Sequence, residues 1–71
     1  MIIRVSKMEP GIDPEDPDAV TVYFKEAEEG PTPSAEVTVY IEKKNALLSE
    51  INAEAIRQAY DFLSLVSNAR T

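Results

Sequence analysis

The chain contains no cysteine and no histidine. Disulfides, thiol nucleophiles, imidazole acid–base chemistry and every zinc site built on Cys or His are excluded on that ground. Glycine occurs only at positions 11 and 30, so nothing reads as a Gly-rich phosphate cradle. No stretch approaches the roughly 18 apolar residues of a membrane span. The start, Met1-Ile2-Ile3-Arg4, lacks the basic region and the apolar run of roughly 7 to 15 residues that mark a signal peptide. These absences predict a soluble, cytoplasmic protein with no membrane partner.

What is present is a chain of 71 residues, 44% hydrophobic and 28% charged, with 13 acidic against 7 basic residues and a net charge of −6. This composition suits one folded domain spanning residues 1–71. At such a length the apolar area buried on folding roughly cancels the ordering cost of about 1.5 kcal/mol per residue. With disulfides and Cys/His metals removed, a partner subunit is the stabiliser still available.

Three segments alternate with the period of a strand. In residues 2–8, Ile3 and Val5 fall on one side and Ile2, Arg4, Ser6 and Met8 on the other. In residues 19–26, Val20, Val22 and Phe24 oppose Thr21, Tyr23 and Lys25, and in residues 36–43, Val37, Val39 and Ile41 oppose Thr38, Tyr40 and Glu42. Acidic, Pro-rich loops over 9–18 and 27–34 separate them, and Pro10-Gly11 reads as the centre of a type II turn. Val20-Thr21-Val22-Tyr23-Phe24 resembles Val37-Thr38-Val39-Tyr40-Ile41. Aligned core faces fix the parity of their pairing, and one register of that parity sets Tyr23 opposite Thr38, Thr21 opposite Tyr40 and Lys25 opposite Glu36.

The last third changes to helical spacing. Ala55, Ile56, Ala59, Phe62, Leu63 and Val66 share a face opposite Glu54, Arg57, Gln58, Asp61 and Ser64, which predicts an amphipathic helix over about 53–68. Asn52 suits its N-cap, Ile51 with Ile56 a hydrophobic staple, and Arg70 the negative end of its dipole. Residues 46–50 read either as a short fourth strand or as an apolar connector. The fold class is α+β, a three-stranded antiparallel sheet with one C-terminal helix on the Val/Phe/Ile face, in the order β-β-β-α.

That arrangement leaves the other sheet face uncovered. It carries Ile2, Arg4, Thr21, Tyr23, Thr38 and Tyr40, a mixture suited to a protein interface because tyrosine is enriched in interface cores. Exposed tyrosines can also stack nucleic-acid bases, but that use needs a basic footprint that a net charge of −6 does not supply. Direct nucleic-acid binding is therefore not expected.

Acidic charge is concentrated. Nine acids between Glu9 and Glu36 face the single Lys25, and the rest of the chain sums to +2. Asp13, Glu15, Asp16 and Asp18 form a candidate acidic patch, but they lack the ligand spacing, central glycine and terminal glutamate of an EF-hand. Asp13 as N-cap, Pro14 at the first position and Asp16 at the third instead make one helical turn before Pro17 ends it. Lys43-Lys44-Asn45 reads as a solvated turn. Ser49, Ser64 and Ser67 have no histidine to activate them, and the loop carboxylates lack a cleft that would shift a pKa.

The sequence thus predicts no metal, no cofactor and no catalysis. It describes a small non-catalytic protein-protein interaction or accessory protein, homodimeric, that binds a second copy or a heterologous protein through the uncovered sheet face or a strand edge. The alternative is an acidic inhibitor that occupies the basic site of a nucleic-acid-binding protein.

Overall fold

A computed structural model of the chain describes residues 1–13, 15–42 and 47–69. Strands β1 (Ile2–Glu9), β2 (Asp18–Lys25) and β3 (Ser34–Ile41) precede helix α1 (Leu48–Ala69). The strands form one antiparallel sheet in the order β1-β2-β3, which is the β-β-β-α arrangement expected. Pro14 of the anticipated helical turn, Lys43-Lys44-Asn45, Ala46 and Arg70 lie outside the described residues.

The core is the face built by alternation. Val20 and Val22 are fully buried, and Phe24, Val37, Val39 and Ile41 join them under Ile51, Ala55 and Ala59 of α1. Small alanines at the helix contact let its backbone approach the valines, and Val5, Met8, Ile56 and Leu63 close the margins. The β2–β3 parity is as expected, but the register is displaced by two residues. Thr21 faces Thr38, Tyr23 faces Glu36, Ala19 faces Tyr40 and Lys25 faces Ser34. A two-residue shift keeps every apolar side chain on the core side, so hydrophobic alternation cannot distinguish the two registers. In this one the Thr21 and Thr38 hydroxyls lie 2.9 Å apart and share a hydrogen bond.

Strand β1 departs from simple alternation. Val5 pairs with Val22 but Lys7 pairs with Thr21, leaving Ser6 as the extra residue of a β-bulge. Ser6 Oγ donates to the Thr21 carbonyl at 3.3 Å. The bulge turns Met8 from the outer face, where alternation put it, to the core beside Val20, and brings Lys7 to the outer face.

The helix begins earlier than its polar signals suggest. The Leu47 carbonyl accepts the N–H groups of Glu50 and Ile51, both at 3.0 Å. Leu48, Ser49 and Glu50 are therefore helical, which removes the fourth strand at these positions, and Asn52 lies inside the helix rather than at its cap. Burial of Ile51 in the core outweighs the capping preference of Asn52, whose buried Oδ1 has no hydrogen-bond partner among the described residues.

Both loops are closed by side chains. Asp16 donates its N–H to the Asp13 carbonyl at 3.0 Å, and the Asp16 carboxylate accepts the Asp13 N–H at 3.2 Å. Asp16, rather than Asp13 as expected, supplies the side-chain oxygen of this closure. Gly11 does not adopt the positive φ of a type II turn; Gly30 does, at 82°. Gly11 is needed for space, since a Cβ there would lie 2.6 Å from Asp16 Cβ and 2.7 Å from its carbonyl oxygen. In the second loop Thr32 Oγ1 both donates to the Ala27 carbonyl (3.2 Å) and accepts the Ala27 N–H (3.3 Å).

Candidate protein interface

Cross-strand pairing builds the outer face of the sheet. Arg4 on β1 stands opposite Tyr23 on β2, and its guanidinium carbon lies 5.0 Å from the ring centroid, a cation–π contact. Ile2 stands opposite Lys25 at the same end. Ile2, Arg4, Tyr23 and Lys25, with Glu28 from the following loop, line a shallow hollow of about 270 Å³. Three of the six residues expected from the sequence, Ile2, Arg4 and Tyr23, thus share one concavity with Lys25 and Glu28.

The remaining three lie farther along. Thr21 and Thr38 bond to each other in the middle of the face. Tyr40, 64% exposed, faces Ala19. Tyr23 and Tyr40 are therefore about four residues apart along the strands, roughly 13 Å, and do not form one aromatic patch. Lys7 joins this face through the bulge and bonds Glu9 at 2.5 Å. That bond, with the mutual Coulomb attraction, raises the lysine above its ordinary range and lowers the glutamate below its own. Lys7 could not be placed from alternation, because a bulge has no signature in Ile-Ile-Arg-Val-Ser-Lys-Met.

The acidic patch is divided. Asp16 is committed to the Asp13 N–H, and Asp18 Oδ1 accepts the Gly11 N–H at 3.1 Å, while Asp13 and Glu15 lie exposed in the same loop. The sheet order places this loop at the opposite end from Glu26, Glu28 and Glu29, separated by strands about 26 Å long. No group of three or more acidic side chains is arranged to hold a metal ion among the described residues.

A second surface was not anticipated. Tyr60, Phe62, Leu65 and Val66 are exposed on the C-terminal half of α1. The helix outruns the sheet: its 22 residues run about 33 Å, against about 26 Å for strands of eight residues. Between Glu54 and Asp61 the exposed side of α1 is polar and internally paired. Arg57 bonds both the Glu54 carboxylate and Asp61 Oδ2, the latter at 3.1 Å, and Gln58 Nε2 donates to Glu54 at 2.8 Å. The bonds from Arg57 and Gln58 hold the Glu54 carboxyl below the usual carboxylate range.

No described helix is long and apolar enough to cross a membrane. Compared with family models, curated proteins and solved structures, the chain matches none, so its functional reading rests on these surfaces.

Proposed function

We propose that this chain is a small non-catalytic protein-protein interaction or accessory protein, cytoplasmic and homo-oligomeric, that presents its uncovered sheet face to a protein partner. The observation that carries the reading is the hollow formed by Ile2, Arg4, Tyr23, Lys25 and Glu28. An aromatic ring in cation–π contact with a guanidinium, beside Ile2, suits a partner's apolar side chain, and Arg4 and Lys25 suit a neighbouring carboxylate. The acidic-inhibitor alternative draws less support, because Asp16 and Asp18 are spent on closing their loop.

The test is photo-crosslinking in native extract from a benzophenone side chain introduced at Thr38, which is exposed on this face. The proposal expects a discrete protein adduct that disappears when Tyr23→Lys and Tyr40→Lys are combined. Adducts formed only from position 15, and lost on raising salt, would support the inhibitor reading instead.

A further inference from the structure

Ile51, Ala55 and Ala59 form the stripe of α1 that packs on the sheet. The same stripe continues, at spacings of three and four, through Phe62, Val66 and Ala69. Beyond Ala59 it loses its cover: Phe62 is 52% exposed, Val66 40% and the adjacent Leu65 67%. Leu63 turns towards the sheet, where with Met1, Phe24, Tyr60, Ser64 and Ser67 it lines an open groove of about 330 Å³. The apolar face that makes the core in the first half of the helix is therefore laid out again, unpartnered, in the second.

Two global measures show that the chain is less covered than a compact monomer. The chain exposes 5460 Å², whereas a folded monomer of its 7.9 kDa mass should expose about 4400 Å². Its radius of gyration is 13.4 Å, against about 11 Å for a compact domain of this length. The excess of roughly 1000 Å², counted over the whole chain with the uncovered sheet face and the loops included, leaves room for a standard interface of ~800 Å² per partner.

Charge indicates the occupant. A chain of net charge −6 repels its own copies, so self-contact favours a surface poor in unpaired carboxylates, and Asp61 beside Phe62 is paired with Arg57. Phe62–Ala69 reads Phe-Leu-Ser-Leu-Val-Ser-Asn-Ala, eight residues without a charge. Glu28, from the acidic loop nearest this end, lines the hollow on the opposite face of the sheet. We infer that the C-terminal half of α1 is a self-association face, on which a second copy of this chain docks its own Phe62–Ala69 segment antiparallel about a twofold axis near Ser64. This isologous contact sets Phe62 of each copy against Val66 of the other. The inference rests on the homo-oligomeric part of the proposed function and is independent of the outer-face part.

The full chain is tested by sedimentation equilibrium from low to high micromolar concentration, with wild type compared against substituted chains. Wild type is expected to be dimeric and insensitive to salt. Phe62→Glu with Leu65→Glu should weaken the dimer about a hundredfold or more at unchanged far-UV circular dichroism. Tyr23→Lys with Tyr40→Lys should leave it intact. Because the chain has no native cysteine, Phe62→Cys combined with Val66→Cys, the two positions this contact sets against each other, gives a further readout that does not depend on the glutamate variants folding. It should form a disulfide dimer rapidly under mild oxidation, while Ala53→Cys, at an exposed position near the start of the helix, should not. A monomeric wild type overturns both the inference and the homo-oligomeric reading. A dimer that survives the helix variant, or is broken by the tyrosine variant, overturns the inference and leaves that reading standing.

Discussion

Replacing Gly11 with alanine tests whether the first loop is held by close packing. The added methyl would sit 2.6 Å from Asp16 Cβ and 2.7 Å and 2.9 Å from the Asp16 carbonyl oxygen and carbon. Two of these contacts are with backbone, so no side-chain rotation relieves them and the loop must open. Opening strains or breaks the Gly11 N–H to Asp18 bond and the Asp13 N–H to Asp16 bond, each contributing about 1 kcal/mol net. Overpacking adds about 1 kcal/mol more. A total near 2 to 3 kcal/mol is a large share of the roughly 4 to 11 kcal/mol expected for a domain of this size. It should lower Tm by about 10 to 20 °C. Thermal unfolding followed by circular dichroism, at one fixed protein concentration because association shifts Tm, measures it. Gly30→Ala is the comparison: it meets no atom within 4 Å but holds φ at 82°, so it costs only the left-handed penalty of about 1 to 2 kcal/mol. A Gly11→Ala protein that melts with wild type would refute the close-packing argument.

Three further outcomes follow from the core and the helix. Val22 is fully buried at the centre of the sheet, so Val22→Ala should cost about 2 to 3 kcal/mol in guanidinium unfolding; a loss below about 0.5 kcal/mol would contradict its place in the core. Asn52 Oδ1 is buried without a partner among the described residues, and Asn52→Leu should stabilise by about 1 kcal/mol, raising Tm by about 4 to 8 °C, whereas a drop in Tm would restore the capping role. The folded Glu54 carboxyl is lowered by Arg57 and Gln58, so its stabilising contribution is complete above the ordinary glutamate value of about 4.3 and is lost as pH falls through the lowered folded value. Wild type should therefore melt above Glu54→Gln at pH 7 and converge with it as pH falls below that lowered value, and a gap that persists after Glu54 is protonated would sink this assignment.

Much of the fold was legible because alternation is a strong signal. Val20, Val22, Phe24, Val37, Val39 and Ile41 could be placed inside, and a helix over the C-terminal third could be set against them. Three features were not legible, each for a physical reason. Register is degenerate in steps of two, so the Thr21–Thr38 pair that replaced Tyr23–Thr38 had no distinguishing pattern. The Ser6 bulge moved Met8 inward and Lys7 outward without any glycine or proline to announce it. The start of α1 was set by the demand to bury Ile51, which overrode the local preference of Asn52 for a cap. The six outer-face residues are on one face as the alternation implied, yet only Ile2, Arg4 and Tyr23 share a hollow. The exposed helix stripe had no signature of its own, because periodicity reports which side of a helix is apolar and says nothing of how far a sheet extends beneath it.

Self-association through α1 is read most directly, residue by residue, from the shift of backbone amide resonances on dilution. Spectra of the 15N-labelled chain from about 1 mM to 10 µM should show concentration-dependent shifts confined to about residues 60–69 and to Met1, which lines a groove with them. Amides of Thr21, Tyr23, Thr38 and Tyr40 should stay fixed. Shifts centred on those four residues with α1 unmoved, or no shift anywhere with monomer-like relaxation at the highest concentration, would contradict the assignment of the C-terminal half of α1 to a second copy.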